Sequence, residues 1–300
     1  MRESRQNRCL HGAILEPSHN GGPHRRTGMN RILVTGSTGT LGRPVIALLH
    51  RLGADVRGLS RHPSHSSPAD SPALPADGPL PAAGPRTFRG DLATGEGLEQ
   101  ALAGMEAVVH CASDTRRMGR TDLQATRNLL DAAGRAGHPY ILFISIVGVD
   151  RIPYPYYRVK LRAEALIEAY GGGILRATQF HDFVLGGARL AARLPIALAP
   201  DVDVQPISTT TVAARIADLL DDPRPGRAPD LGGPEVLHTP DVFRSYLTAA
   251  GSHRPVLPIR LPGATFGAFR RGAHLTPHRS PGPHWSDFLQ NHFPGTPTTP

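Results

Sequence analysis

Residues 29–42 read Met29-Asn30-Arg31-Ile32-Leu33-Val34-Thr35 followed by Gly36-Ser37-Thr38-Gly39-Thr40-Leu41-Gly42. The first half is apolar and β-branched and predicts a short strand, whereas the second half predicts a glycine-rich turn. The apolar spacing of the next residues, 44–49, is typical of an amphipathic helix. A strand, a glycine-rich turn and a helix in this order favour binding of a dinucleotide, because glycines let the backbone approach a pyrophosphate and a helix N-terminus offers free N–H groups.

The glycine spacing is G-x-x-G-x-x-G and not G-x-G-x-x-G, so a turn without a ligand is the alternative. We predict that the whole turn binds the cofactor: Gly36, Ser37, Thr38, Gly39, Thr40, Leu41 and Gly42. The next strand, 54–60, ends where an acidic residue would hold the ribose of NAD. Ser60 and Arg61 stand there instead, and a guanidinium suits a 2′-phosphate. We therefore favour NADP(H) over NAD(H), the alternative being that Arg61 is a solvated loop residue.

The same alternation of elements continues along the chain. Further strands are predicted at 86–92, 107–112, 140–146 and 173–177, and further helices at 97–103, 121–136 and 156–170. Strands that alternate with helices predict an α/β fold with a doubly wound parallel sheet of the Rossmann type. A nucleotide then belongs at the carboxyl ends of the strands.

Lys160 is the only lysine among the 33 lysine and arginine residues. It lies four residues after Tyr156, so the two side chains share one face of the predicted helix. An ammonium group stabilises tyrosinate and lowers the tyrosine pKa, which makes the pair suitable for acid–base chemistry. Pro155 favours a helix start immediately before Tyr156. The alternatives are a plain surface lysine, or Tyr157 as the reactive phenol, although Tyr157 is turned about 100° from Tyr156 around the helix.

Composition excludes several classes of function. The formal charge of +8 lies largely in the tails, where residues 1–28 carry +3 and residues 270–300 carry +2, so we expect no nucleic-acid partner. The two cysteines and the histidine pairs lack metal-ligand spacing, and we expect no metal: Cys9, Cys111, His62/His65 and His274/His278. No run of 18 apolar residues is present, so we expect no membrane partner. We also expect a cytoplasmic protein that binds a small-molecule substrate. The oligomeric state is left open.

Composition also divides the chain. Residues 1–28 are polar, lack the apolar run of a secretory signal, and are predicted to be a disordered extension. Residues 29–180 form the predicted nucleotide-binding domain, interrupted by a loop rich in Pro, Ala and Ser at 62–85. Residues 181–300 are predicted to form a small substrate lobe. Within it, about 201–220 are expected to return to the sheet as a strand, Asp201–Ile207, and a helix, Thr211–Leu220.

Together these features resemble the short-chain dehydrogenase/reductase superfamily, and more narrowly its atypical, extended branch of NmrA-like NAD(P)-binding proteins. The resemblance covers roughly residues 29–290 and is more specific in the N-terminal half. The matching pieces are Thr35–Gly42, Gly90–Leu92, Val109–Ser113, Asn128–Ala133, Ser145, Tyr156-x-x-x-Lys160, Ile174–Thr178, Gly232–Glu235 and Trp285–Leu289.

The resemblance implies roles for individual residues. Lys160 would hold the nicotinamide ribose and lower the pKa of Tyr156, which would exchange a proton with a substrate oxygen. Ser145 would steady that oxygen. The remaining cofactor contacts implied are the adenine-binding Asp91 with its neighbour Leu92, and the residues lining the cofactor, Ala112 and Ser113.

The first hypothesis for function is an NAD(P)H-dependent oxidoreductase acting on a small carbonyl or related substrate. The second is a catalytically silent NADP-binding sensor or regulatory protein, because Ile144-Ser145-Ile146-Val147 stands where active members often carry a run of serines. The third is a nucleotide-sugar epimerase or dehydratase. The retained Tyr156 and Lys160 favour the first over the second, since a pure sensor has no chemical need for them.

Overall fold

The computed structural model describes residues 28–61 and 85–293. The expectations for residues 1–27 and 62–84 therefore lie outside the described residues. The strands are β1 Arg31–Thr35, β2 Asp55–Ser60, β3 Arg86–Arg89, β4 Ala107–His110, β5 Tyr140–Ile146, β6 Gly173–Ala177, β7 Ala197–Pro200, β8 Asp203–Val204, β9 Gly226–Arg227, β10 Leu237–His238 and β11 Val256–Ile259. The helices are α1 Gly42–Arg51, α2 Leu98–Leu102, α3 Asp122–Arg135, α4 Pro155–Tyr170, α5 His181–Ala191, α6 Thr209–Asp221, α7 Thr239–Ala249, α8 Ala264–Arg270 and α9 Trp285–His292.

The main sheet has seven strands in the order β3-β2-β1-β4-β5-β6-β9, and every neighbouring pair is parallel. The prediction of a doubly wound parallel sheet is confirmed. The order reverses between β1 and β4, where successive connections leave in opposite directions. Ligands of such sheets bind outside the carboxyl ends of the strands at this switch point.

Helices cover both faces of the sheet. Because successive residues of a strand point to opposite faces, Ile32 and Val34 pack on one side of β1 and Leu33 on the other. Helices α1 and α6 cover the Ile32 face, and α2, α3 and α4 cover the Leu33 face. The two cores bury their apolar side chains almost completely, and they hold the strand ends in fixed positions.

Helix α4, which carries the tyrosine–lysine pair, has well-defined ends. Pro155 occupies its first turn, where the missing N–H costs no intrahelical hydrogen bond. Gly171 ends the helix with φ +86°, a left-handed conformation that glycine adopts without a steric penalty. The sequence prediction of a helix over 156–170 is confirmed to within one residue.

The C-terminal lobe, residues 181–208 and 232–293, has its own core around Val184, Phe243 and Trp285. The strand predicted at Asp201–Ile207 does not join the main sheet, and that prediction is wrong. The chain instead forms two short ribbons, β7 with β11 and β8 with β10. The helix predicted at Thr211–Leu220 is present as α6 and does return the chain to the face of the sheet.

Two further facts concern binding partners. Of the helices in the described part of the chain, none combines the length and apolar character that crossing a bilayer requires. No three His, Cys, Asp or Glu side chains in residues 28–61 and 85–293 form a group able to hold a metal ion.

Candidate functional site

The glycine-rich turn after β1 is packed too tightly for larger residues. Gly36 has φ +66°, and a Cβ atom there would lie 2.8 Å from the Cα atom of Ala112. A Cβ atom on Gly42 would lie 2.2 Å from the Gly36 carbonyl oxygen. The Gly39 N–H donates to that same oxygen at 2.9 Å, which closes the turn. These contacts bring the start of α1 close to the end of β4 and leave backbone exposed where a pyrophosphate would approach.

The N-terminus of α1 has the chemistry of an anion site. Leu41 precedes the helix and supplies no side-chain cap, and the first turn contains no acidic residue. A helix start of this kind offers N–H groups and the positive end of the helix dipole to phosphate. Next to it, the Ser37 hydroxyl donates to the Leu59 carbonyl at 3.1 Å, and the hydroxyls of Thr38 and Ser60 lie 3.3 Å apart. The predicted residues of the turn therefore fit the diphosphate of a dinucleotide.

A cleft of about 310 Å³ lies at the ends of β2 and β3. It is lined by Arg61, Arg89, Gly90, Asp91 and Glu96. The register of the sheet pairs Ser60 with Arg89, so the two arginines come from neighbouring strand ends. The Asp91 carboxylate accepts the N–H of Ala93 at 2.8 Å, which fixes its orientation beside the cleft. The side chain of Asn128 donates to the carbonyl of Leu92 at 2.8 Å and anchors the same loop to α3.

Ser113 links the end of β4 to the predicted catalytic tyrosine. The hydroxyl oxygens of Ser113 and Tyr156 lie 2.7 Å apart. The Ser113 hydroxyl also donates to Asp122 Oδ2 at 2.5 Å, and the second oxygen of Asp122 accepts the Asp114 N–H at 2.8 Å. Because Ala112 packs against Gly36, this chain of contacts runs without interruption from the glycine turn to Tyr156.

The Lys160 ammonium and the Ser145 hydroxyl are both buried near the end of β5. The Lys160 ammonium donates to the Ile144 carbonyl at 3.1 Å and lies 4.4 Å from the centre of the Phe143 ring. Lys160 is 4% exposed, so the surface alternative for this lysine is wrong. The Ser145 hydroxyl is buried and has no hydrogen-bond partner among the described residues. A buried hydroxyl without a partner is costly, and it is the kind of group that a ligand satisfies.

The electrostatics of Tyr156 differ from the expectation that Lys160 lowers its pKa. Burial raises the pKa of Tyr156 to about 12; the Asp122 charge adds to this rise, and a Ser113 proton donated to the phenol oxygen would oppose it. Burial lowers the pKa of Lys160, and the negative charge of Asp122 partly offsets that effect. The expected lowering of the Tyr156 pKa by Lys160 is therefore not seen in this structure, where burial and the charges of Asp122 and Tyr154 raise it.

Neighbouring residues define which phenol faces the site. Tyr157 packs in a small core with Val149 and Ile152, and burial raises its pKa, so it is not the exposed phenol of the pair. The ring of Tyr156 lies against Gly119, where an added Cβ atom would come within 2.9 Å of the ring. The loop after β4 therefore packs directly over the ring of Tyr156.

All the predicted site residues in the described range lie at or just beyond the carboxyl ends of β1, β2, β3, β4 and β5. Sequence reasoning missed Arg89, Asp122 and Gly119. The pairing of β2 with β3 could have indicated Arg89, because the residue at the end of each strand faces the same cleft. No local pattern in the sequence distinguished Asp122 from the other acidic residues of its helix.

Comparisons with known proteins identify the family. The profile of a family described as NAD(P)H-binding matches residues 36–223. A 3-beta-hydroxysteroid dehydrogenase from Mycolicibacterium neoaurum is 31% identical over 184 residues, which cover 51% of this chain and 46% of that protein. A chloroplastic divinyl chlorophyllide a 8-vinyl-reductase from Oryza sativa subsp. indica is 28% identical over 228 residues, 70% of this chain and 56% of that protein. The chain thus spans about half the length of these relatives.

Among solved structures, a nucleoside-diphosphate-sugar epimerase from Staphylococcus aureus has a TM-score of 0.65 with 17% identity. The superposition covers 87% of this chain and 99% of the epimerase. At this level of identity the similarity establishes the shared fold and leaves the reaction open.

Proposed function

This chain belongs to the NAD(P)H-binding family, and we propose that it is an NmrA-like, atypical short-chain dehydrogenase/reductase that acts as an NADPH-dependent oxidoreductase on a small carbonyl or related substrate. The proposal covers both the preference for NADPH and the catalytic residues. It also takes residues 29–180 as the cofactor domain and residues 181–293 as the source of the substrate pocket.

The observation that carries the proposal is the pair of buried groups at the end of β5. The Ser145 hydroxyl has no partner among the described residues, and Lys160 uses one of its three ammonium protons on Ile144. Both groups lie beside the strand end where a bound nicotinamide ribose and a substrate oxygen would meet. A purely structural lysine at 4% exposure would be expected to have more of its protons satisfied.

The residues present suit a carbonyl reduction. When bound, the reduced cofactor supplies a hydride for the carbonyl carbon. Tyr156 donates its hydroxyl proton to the carbonyl oxygen, so that the Tyr156 O–H bond breaks as the product O–H bond forms. Ser145 donates a hydrogen bond to the same oxygen and orients it, and the charge of Lys160 favours the negative charge that develops there.

The preference for NADPH is supported by the two arginines at the ends of β2 and β3. Arg61 and Arg89 line one cleft, and no carboxylate occupies the position next to Ser60 where NAD-specific sites hold the ribose. Asp91 and Glu96 line the same cleft and reduce its net charge, so both arginines are needed to favour a 2′-phosphate. A lost charge-assisted hydrogen bond costs about 1.5–3 kcal/mol, equivalent to roughly 10- to 150-fold in affinity.

A fluorescence titration with NADPH and with NADH tests the cofactor site. Arg61→Ala and Arg89→Ala should each weaken NADPH binding about tenfold or more and leave NADH binding nearly unchanged. Arg135→Ala is the matched control for loss of charge, because Arg135 is an exposed arginine on α3 that pairs with the exposed Glu99. Equal weakening of both nucleotides, or an equal effect of Arg135→Ala, would contradict the assignment of a 2′-phosphate site.

The second candidate is a silent NADP-binding protein, and one observation favours it. The Tyr156 hydroxyl is engaged by Ser113, and its pKa is raised to about 12. Turnover of carbonyl substrates that is lost in Tyr156→Phe with cofactor affinity retained would support the oxidoreductase. Tight NADPH binding with no turnover across a broad carbonyl panel would support the silent protein.

A further inference from the structure

Three oxygen atoms form a short hydrogen-bonded chain at the tyrosine. Tyr156 Oη lies 2.7 Å from Ser113 Oγ, which lies 2.5 Å from Asp122 Oδ2. Asp122 is 7% exposed and is the first residue of α3, whereas Ser113 is exposed. The second carboxylate oxygen of Asp122 is fixed by the Asp114 N–H, so the side chain cannot turn away without losing that bond.

Counting protons fixes which oxygen donates and which accepts in each of these two hydrogen bonds. An ionised carboxylate only accepts hydrogen bonds, and a serine hydroxyl has a single proton to donate. The Ser113 proton is therefore given to Asp122, and Ser113 accepts its other hydrogen bond from Tyr156. If Tyr156 became tyrosinate, it would compete with Asp122 for the same proton, and one of two negatively charged oxygens would lose its donor.

We propose that Asp122, acting through Ser113, is a positioning residue that keeps Tyr156 protonated and makes it a hydrogen-bond donor. The site is thereby set to give a proton to a substrate oxygen and not to take one from a substrate hydroxyl. The effect on direction rests on the proposed oxidoreductase function. The protonation of Tyr156 does not, since it is a property of the protein alone.

The other groups around Tyr156 do not replace Asp122 in this role. Tyr154 raises the pKa of Tyr156 in the same direction as Asp122 but by less, and Gly119 contributes only backbone against the ring. The ammonium of Lys160, on the same helix, is directed to the Ile144 carbonyl and the Phe143 ring. Asp122 is thus the anion whose charge reaches the phenol, and it adds to the effect of burial in raising the pKa of Tyr156.

The same hydrogen-bonded oxygens offer a route for returning a proton to Tyr156. After Tyr156 has given its proton to a substrate oxygen, the tyrosinate takes a proton from Ser113, and the exposed Ser113 oxygen takes one from water. One solvent proton is consumed in each turnover, in balance with the one proton that the product gains. In the opposite direction, a proton accepted by Tyr156 would leave through Ser113 to solvent.

The test is Asp122→Asn, because asparagine can keep both hydrogen bonds but exchanges donor and acceptor in the one to Ser113. Its oxygen still accepts the Asp114 N–H, whereas its amide donates to Ser113, which frees the Ser113 proton for tyrosinate. The measurement is the ultraviolet absorption of tyrosinate against pH in the cofactor-free protein, with Tyr156→Phe subtracted to isolate one of the 6 tyrosines. We expect the pKa of Tyr156 to fall by about one unit or more, a tenfold change in its acid dissociation constant.

Asp131→Asn is the matched control, because Asp131 is an exposed carboxylate on the same helix. Ser113→Ala provides a second, independent variant at an exposed position. In the proposed arrangement it removes the acceptor of the Tyr156 proton and lowers the pKa of Tyr156; if Ser113 instead donated to tyrosinate, the pKa would rise. A rise in Ser113→Ala, an unchanged pKa in folded Asp122→Asn, or an equal shift in Asp131→Asn would overturn the proposal. None of these readouts requires cofactor or substrate, so they stand apart from failure of the proposed function.

Discussion

Replacing Glu164 with glutamine is expected to destabilise the protein strongly. Glu164 on α4 holds Arg176 on β6 through two hydrogen bonds, Nε to Oε1 at 2.9 Å and Nη2 to Oε2 at 2.6 Å. The side chain of Arg176 is 5% exposed and that of Glu164 is 4% exposed, so neither charge is solvated by water. Removing one partner of a buried ion pair costs about 3–5 kcal/mol, because the other charge is left buried without compensation.

The neighbouring contacts place Glu164→Gln at the lower end of that range. Asp150 still meets Arg176 Nη1 at 3.0 Å, and its 38% exposure weakens the attraction but does not abolish it. Glutamine also retains one acceptor oxygen for the guanidinium. We expect a loss of about 3 kcal/mol, which corresponds to a fall in Tm of roughly 6–12 °C for a chain of this size.

Urea unfolding at neutral pH measures this loss, followed by far-UV circular dichroism and by the fluorescence of Trp285, the only tryptophan. The control is Glu99→Gln, which removes the exposed pair with Arg135 and should cost less than about 1 kcal/mol. The double variant Glu164→Leu/Arg176→Met should recover part of the loss, because it removes both buried charges. If Glu164→Gln costs no more than Glu99→Gln, the buried pair does not stabilise the fold as argued.

Three other outcomes are expected. Burial lowers the pKa of His110 to about 3, below its value in the unfolded chain, so the unfolded chain binds more protons than the folded one below pH 6.5. As the pH falls from 7 to 5, this residue should lower the free energy of unfolding by about 2 kcal/mol. The urea midpoint of His110→Asn should therefore depend less on pH over that interval. Gly42→Ala should abolish NADPH binding in the same titration as above, because the added Cβ atom would lie 2.2 Å from the Gly36 oxygen and displace the turn. Gly134→Ala, on an open face of α3 with no atom near the added Cβ, should raise stability by about 0.5–1 kcal/mol, and an unchanged or lower urea midpoint would refute this.

Much of the cofactor half of the fold was predictable from local pattern. Strands β5 and β6 were predicted with the bounds that the structure has, because each is an apolar run that begins directly after a proline or a glycine. The rarity of Lys160 and its spacing from Tyr156 favoured a functional lysine over a surface one, and Lys160 is buried in the structure. These inferences succeeded because each depends on residues close together in the chain.

The parts that escaped prediction depend on contacts between distant residues. Ser113 and Asp122 reach Tyr156 only because the ends of β4, α3 and α4 converge, and no spacing in the sequence encodes that meeting. The segment Asp201–Ile207 has the alternation of a strand, but β9 takes the edge position beside β6. Pairing partners of edge strands are decided by the connections available in three dimensions and not by the strand's own composition.

The packing of α6 against α1 has a consequence for how the chain folds as it is made. The face of β1 that carries Ile32 and Val34 is completed by Val212 and Ile216, which leave the ribosome long after α1 does. At typical translation rates the delay is roughly ten to thirty seconds. During that time an apolar sheet face is open to solvent and to other nascent chains. The length of the nascent chain, and not the stability of the finished protein, then determines when the nucleotide-binding fold first becomes resistant to aggregation. Chaperones that recognise apolar surface can bind this face until residue 221 has emerged.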